Sequence, residues 1–594
     1  MHSVVRPNAY VALHLSSGLH KVLKVAPNMK ISLGKYGSFY SNHIIGRPFH
    51  LTFELLEEPE EDGYSLRIVP AAELHAEALI SEGSGDVDGV GEELDGENSD
   101  DMPTRTNRDI VDDNSSQALT LDEIEELKRN STGAGQEIID KLLESHSAID
   151  KKTAFSLAKY KVRKRRKYLK RFTVLPLDVK ILTEYILQGK EPHKIMEIRD
   201  EMIGLLGCWG NVHHAGNLQL EGMESSGRYL VVDDTGGLVV AAMAERMGIL
   251  YPQDPDEEAD DIYEDEHDGE STKKEPIESA DDVMDVSENN GITANDTQNN
   301  ETEEMNIAND ENSRSSVRQQ YMAAGDNSIT VIHAHSQPNL SILKYFGYDV
   351  EDPDESHPLY KHLKTVSWLQ VIDPEADNLY HRRPESIDAE ILKTWKPRQR
   401  GTYYRKHTRW ARIRSVVDEV RAGGFNGLVV ASLMEPESVL QYAVPLLRGG
   451  ASTVVYSAAV EPLTRLMDQY STPRRSAFIL KKKDLEKKRA QLTTSSETVD
   501  LPSIESTLAL EFPLDPTLLI APMLQTSRVR QWQVLPGRTH PLMSDRGGAE
   551  GYIFHGLRVI PATEHISSGA QARRKKRKLE EVDTAPSTEI STPT

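Results

Sequence analysis

Lys151 to Arg171 reads KKTAFSLAKYKVRKRRKYLKR, with eleven Lys or Arg and no acid. Cations at that density neutralise phosphate groups, so the chemistry on offer is the holding of a polyanion, above all a nucleic acid. The candidate cations are Lys151, Lys152, Lys159, Lys161, Arg163, Lys164, Arg165, Arg166, Lys167 and Lys170, and Tyr160 and Tyr168 offer rings for stacking. A partial apolar stripe of Phe155, Ala158, Val162 and Leu169 would anchor one helix face. Lys159, Arg163, Arg166, Lys167 and Lys170 would then point outward. The competing reading is a solvated helix face or an import signal. A second basic-aromatic cluster, TYYRKHTRWARIR from Thr402 to Arg414, adds Arg405, Lys406, Arg409 and Arg412. It could equally be a surface helix entering the core through Trp410 and Ile413.

Three other segments could carry chemistry. In RYLVVDDTGGLVVAAMAERMG, Arg228 to Gly248, a strand, turn and helix stand where a doubly wound fold binds a nucleotide-like cofactor. A working turn alternates its glycines so that the backbone can approach the ligand. Here Asp233, Asp234 and Thr235 precede adjacent Gly236 and Gly237, and the next candidate strand ends in His333-Ala334-His335 without a ribose-binding acid. The turn reads as degenerate, kept for the fold. The strand GLVVASLMEPESV places Ala431, Ser432, Leu433 and Met434 where a base-methylating enzyme would need an acid or amide, and Glu435 and Pro436 suit a helix start. Cys208, His213 and His214 lack the paired spacing of a zinc site, so no metal is expected.

The elements positioning these residues follow from composition and periodicity. The chain has 594 residues, 38% hydrophobic, and a net charge of -25. Asp254 to Glu311 alone carries -21 and Glu82 to Asp113 carries -10, so the remainder is at +6. Both tracts are too polar to offset ordering entropy and are expected to be disordered. The foldable part is mildly basic. One cysteine fits a reducing compartment, and neither a signal pattern at the N-terminus nor a bilayer-length apolar run is present in the sequence. A soluble intracellular protein is expected.

Residues 1–81 read as short strands (Tyr10–Leu15, Lys21–Val25, Leu51–Leu56, Tyr64–Val69), suggesting a small β-barrel or sandwich. A linker at 82–116 leads to a helical region, 117–218, which opens with a Thr120/Glu123 capping box and contains the basic run. Helices are expected over Gln136–Ser145, Pro176–Leu187 and Glu191–Leu206, with Gly207 as a stop. Residues 219–561 alternate strand and helix: strands at Tyr229–Val232, Ser328–His333, Thr365–Ile372, Gly427–Ala431 and Thr453–Tyr456, and helices at Leu238–Met247, Asn339–Phe346, Arg405–Arg421, Pro436–Leu447 and Pro462–Gln469. That alternation predicts an α/β domain with a parallel sheet between helices. Terminal strands at Thr517–Ile520, Arg530–Val534 and Tyr552–Val559 suggest an antiparallel edge. Insertions interrupt the domain at about 252–326 (acidic) and 473–505 (basic and polar). The tail, 562–594, carries a cleaner import signal: Arg573, Arg574, Lys575, Lys576, Arg577 and Lys578.

Several stretches together resemble a known family. They are LGKYGSFYSNHIIGRPF (Leu33–Phe49), LTLDEIEELKR (Leu119–Arg129), SHSAIDKKTAFSLAKYKVRKRRKYLKRFTVLP (Ser145–Pro176) and RDEMIGLLGCWGNVHHAGN (Arg199–Asn217). VVDDTGGLVVAAMAERMG (Val231–Gly248), HPLYKHLKTVSWLQ (His357–Gln370) and QVLPGRTHPLMSDRGGAEGYIFHGLRVIP (Gln533–Pro561) complete the set. The chain resembles the non-catalytic, tRNA-binding subunit of the eukaryotic tRNA (adenine-N1)-methyltransferase, which modifies the T-loop adenine. The resemblance implies an N-terminal β-barrel and a C-terminal Rossmann-like methyltransferase fold, here with a degenerate cofactor turn. It also implies a homologous catalytic partner that binds S-adenosylmethionine, a heterodimer that pairs into a tetramer, and a nuclear location. No cofactor is expected on this chain. The two acidic insertions depart from the compact family pattern. The alternatives are a self-sufficient methyltransferase and a general RNA-binding, translation-associated protein.

Overall fold

The computed structural model describes residues 4–57, 64–74, 118–130, 135–146, 154–189, 191–215, 227–252, 327–494, 504–530, 532–535, 538–542 and 549–561. The acidic tracts, Lys151, Lys152 and the Arg573–Lys578 run lie outside the described residues. No described helix is long and apolar enough to cross a membrane.

The N-terminal strands are β1 (Tyr10–Leu15), β2 (His20–Lys24), β3 (Lys30–Ser32), β4 (Ser38–Tyr40), β5 (Thr52–Glu57), β6 (Tyr64–Ile68) and β7 (Arg171–Pro176). Five of them form an antiparallel sheet ordered β2-β1-β7-β5-β6, while β3 and β4 make a separate hairpin. Among the described residues the sheet does not close into the expected barrel, and β2 and β6 are its edge strands. Its central strand, β7, was hidden in the sequence because it follows the cation run directly. Phe172 on β7 is buried and stacks on Phe39 and Phe53, with ring centroids 4.8 and 5.6 Å away. Arg171 begins this strand and is buried, its Nε donating to Glu54 Oε1 at 2.7 Å and its Nη2 to Glu73 Oε1 at 2.9 Å. The last cation of the run therefore serves the sheet core.

The larger sheet contains β8 (Arg228–Asp233), β9 (Ser328–His333), β10 (Leu363–Ser367), β11 (Phe425–Ala431) and β12 (Leu447–Ser457). It continues with β13 (Leu519–Gln525) and β16 (Tyr552–Arg558), while β14 (Trp532–Leu535) and β15 (Arg538–Pro541) pair apart as a hairpin. The order is β10-β9-β8-β11-β12-β16-β13. The first five strands are parallel, and β16 runs antiparallel to both neighbours. Alternate residues supply two apolar layers, as the two-residue period of a strand requires. Val231 and Val429 face one layer, and Leu230, Val232, Leu428 and Val430 the other. Strand order reverses between β8 and β11, which makes the carboxyl ends of these two strands the switch point where such sheets bind ligands.

Three local expectations change, and one insertion gains structure. The run Thr365–Ile372 divides after Ser367, which starts a short helix, Trp368–Ile372, through a reciprocal capping box with Gln370 (3.2 and 3.0 Å). The Glu191–Leu206 helix is broken by Met196 and Glu197 at positive φ and restarts as Asp200–Trp209. It runs through Gly207, where a Cβ would lie 2.6 Å from Arg246 Nη1; the glycine admits a side chain instead of stopping the helix. The basic stretch after Pro473 is a helix, Thr472–Thr494.

Candidate functional site

The basic run forms a helix, Ala154–Tyr168, joined to β7 by two residues. Tyr36 Oη donates to the Arg166 carbonyl at 2.9 Å, and Ser16 Oγ donates to the Leu169 carbonyl at 2.5 Å, fixing the helix end to the N-terminal sheet. Tyr168 is buried among Ile138, Ile139 and Leu142. Gly135, at φ +92°, lies against its carbonyl so closely that a Cβ would stand 2.2 Å from the oxygen. Tyr168 thus anchors the helix, although the sequence suggested a stacking surface.

Arg163, Arg166 and Lys167 are exposed, while Lys159, Tyr160, Lys161, Lys164, Arg165 and Lys170 are half-buried. Lys164 Nζ sits 4.8 Å from the Tyr160 ring centroid and 5.9 Å from that of Tyr168. Burial, and then the charge of Lys167, lower the Lys164 pKa from its ordinary value.

The second basic cluster lies on a 26-residue helix, Pro397–Ala422. Arg405, Lys406, Arg409 and Arg412 are exposed on it. Arg405 Nε donates to the Gly401 carbonyl at 3.2 Å, and the Arg412 guanidinium lies 5.3 Å from the Tyr360 ring. Trp410 is half-buried, its Nε1 donating to the Tyr380 carbonyl at 3.1 Å. Full burial begins only at Val417 and Val420, so the basic half of the helix is surface and its C-terminal part is core.

At the switch point the polar atoms of the turn are taken up by the protein. The Asp233 carboxylate is buried, with Oδ1 accepting the Thr235 N–H at 2.6 Å and Oδ2 the Val240 N–H at 3.1 Å. Burial pushes its pKa up, and the hydrogen bonds from Thr235 and Val240 oppose the shift. The Asp234 N–H donates to the Ala431 carbonyl at 2.8 Å. Asp234 Oδ2 accepts from Ser432 Oγ at 2.6 Å and from the Leu433 N–H at 2.8 Å. These bonds tie the carboxyl ends of β8 and β11 together.

Gly236 and Gly237, both at positive φ, are covered by the segment after β9. The Ile342 N–H donates to the Gly236 carbonyl at 3.0 Å, and a Cβ on Gly237 would lie 3.1 Å from Leu340 Cα. The glycines admit protein backbone at the place where a cofactor turn admits a ligand. At the end of β9, His333 Nδ1 is engaged by the His335 carbonyl at 2.7 Å, and burial lowers the His333 pKa. Sequence reasoning found the missing acid here but not the Asp234–Ser432 closure, which joins residues 198 positions apart.

Cys208 and His213 are engaged separately: Arg246 Nη2 lies 3.7 Å from Cys208 Sγ, and His213 Nδ1 lies 2.6 Å from the Asn211 carbonyl. No cluster of three or more potential metal ligands occurs among the described residues.

Comparison with known proteins places the chain. The Gcd10p family matches residues 4–396. The "tRNA (adenine(58)-N(1))-methyltransferase non-catalytic subunit trm6" of Aspergillus oryzae is 56% identical, covering 98% of this chain and 96% of that protein. The protein of the same description from Schizosaccharomyces pombe is 26% identical over 97% of this chain and 96% of its own. Among solved structures, the tRNA (m1A58) methyltransferase TrmI from Aquifex aeolicus aligns at 8% identity with a TM-score of 0.34, covering 94% of this chain and 100% of that one, an overlap too slight to carry weight. On the length of the family match and the identity to its relatives, this chain belongs to the Gcd10p family.

Proposed function

We propose that this chain is the tRNA-binding subunit of a methyltransferase that makes N1-methyladenosine at position 58 of tRNA, its relatives being named as the non-catalytic subunit of that enzyme. The observation that carries the reading is the switch point. There Asp234, Ser432 and Leu433 join the two strand ends, and Leu340 and Ile342 pack against the glycines, so the turn that would cradle a cofactor is engaged by protein groups. S-adenosylmethionine and the methyl transfer then belong to a homologous catalytic partner, in a heterodimer that pairs into a tetramer.

This chain's part is to hold RNA. The cations from Lys151 to Lys170 and those at Arg405, Lys406, Arg409 and Arg412 neutralise phosphates, giving affinity that falls with salt, while tRNA shape sets placement. The partner's pocket receives an adenine extruded from its stack. Import through Arg573–Lys578 places the complex in the nucleus.

Co-expression with the catalytic subunit, followed by methylation assays on each chain alone and on both together, tests the reading. Activity is expected only from the pair. Methylation by this chain alone, or full activity of the partner without it, would refute the proposal.

A further inference from the structure

The helix Thr472–Thr494 is a basic element that the RNA-holding surfaces above do not include. Its first half is fastened to the body. Phe478 and Leu485 pack with Ile504, Leu508 and Phe512 in a small apolar cluster of their own. Arg474 Nη2 pairs with Asp468 at 2.9 Å, Arg475 Nη2 donates to the Leu519 carbonyl at 3.0 Å, and Lys481 pairs with Glu511. Beyond Leu485 no residue of the helix joins an apolar cluster among the described residues. The last nine residues, Glu486–Thr494, extend roughly 13 Å at 1.5 Å per residue. Their composition favours a helix, being rich in Lys, Arg, Ala, Gln and Leu with no glycine or proline.

Lys482, Lys483, Lys487 and Lys488 are exposed, and none has an ion-pair partner among the described residues. At about 100° per residue, these four spread over some two thirds of the circumference. A membrane-lying helix needs its cations on one face and a broad apolar face opposite; this helix lacks that division. A rod carrying cations on several sides suits a phosphate backbone that passes alongside it.

We propose that the helix Thr472–Thr494 is a third phosphate-binding element, an arm that grips the tRNA backbone through Lys482, Lys483, Lys487 and Lys488. The inference rests on the RNA-holding reading and extends it to a site in the stretch between the last parallel strand and the final strands. The small Phe478–Phe512 cluster would serve to give the arm a fixed root.

The test uses the full chain co-purified with its catalytic partner and an unmodified tRNA transcript. Replacing the four lysines with Ser should raise the Kd about tenfold to a hundredfold near physiological salt and make the log Kd against log salt slope shallower by about two to three. Replacing them with Arg, a helix former of similar propensity, should keep both near the parent values and leave thermal unfolding unchanged. An unchanged slope in the Ser variant, while a variant of the Arg163–Lys167 cluster loses affinity, would overturn the arm and leave the RNA-holding reading intact. Absence of salt-dependent tRNA binding in the parent complex would overturn both. If the Ser variant lost binding to phosphatidylserine vesicles but kept that to tRNA, the arm would be a lipid contact and the proposal would fall.

Discussion

The turn after β8 and the helix Ala154–Tyr168 are both dense in charged side chains, yet they treat them in opposite ways. At the turn, both Asp233 oxygens accept from Thr235 and Val240, and Asp234 Oδ2 accepts from Ser432 and the Leu433 backbone. On the helix, Arg163 and Arg166 face solvent with no ion-pair partner among the described residues, and Lys164 is held near Lys167. A polar group already satisfied gains little from a ligand, because binding only exchanges one set of hydrogen bonds for another. An uncompensated cluster of like charges gains much, because each phosphate relieves repulsion and releases counterions. The turn spends its charged groups on internal hydrogen bonds, and the helix presents its cations to solvent.

The largest effect that would break this contrast lies on the helix. Replacing Arg163, Lys164, Arg165, Arg166 and Lys167 with Ala should weaken tRNA binding by about 10²- to 10³-fold and flatten the salt dependence by about three to four, read in a filter-binding titration. An unchanged slope would mean that these cations are only a solvated face. Next comes the turn. Asp233→Ala leaves the Thr235 and Val240 N–H groups without their buried acceptor. It should cost about 3 kcal/mol in denaturant unfolding; a loss near zero would mean that the carboxylate does not hold the turn.

Gly135→Ala couples the two regions' logic, since it forces a Cβ against the Tyr168 carbonyl from a left-handed backbone. About 2 kcal/mol is expected, together with weaker tRNA binding as the root of the basic helix loosens. Parent-like values in both measurements would separate the helix from its seat. Ser432→Ala is the mildest, at about 1 kcal/mol. Calorimetry with S-adenosylmethionine should still show no one-to-one heat, because Leu340 and Ile342 continue to cover the glycines. A binding isotherm would reopen the crevice as a cofactor site.

Much of the large sheet was legible because its strands are buried on both faces and read as apolar runs bounded by turns. Ser328–His333 and the helix Leu238–Met247 have the bounds that their sequence suggests. The antiparallel last strand, Tyr552–Arg558, was legible as well. The N-terminal region was harder. Short alternating strands indicate a sheet but not whether it closes, and the strand that completes it, Arg171–Pro176, arrives more than a hundred residues after β6. The burial of Tyr168 and of Arg171 was not legible, because a cation run gives no sign of which of its last residues turn inward. The 473–505 insertion has no apolar period to indicate an element, and the structure makes Thr472–Thr494 of it a helix with a short apolar anchor.

The sequence by itself determined which segments are basic, that the turn at Asp233–Gly237 departs from a cofactor-binding pattern, and which stretches carry the family resemblance. Those are properties of residue type and spacing along one chain. Only the tertiary structure decided that Asp234 closes on Ser432, that Leu340 lies over Gly237 and that Arg171 belongs to a buried ion pair with Glu54. Each of these joins groups tens to hundreds of residues apart. Whether a charged group becomes a ligand contact or a structural bond depends on which partner the fold brings within hydrogen-bonding distance, and spacing along the chain carries no record of that.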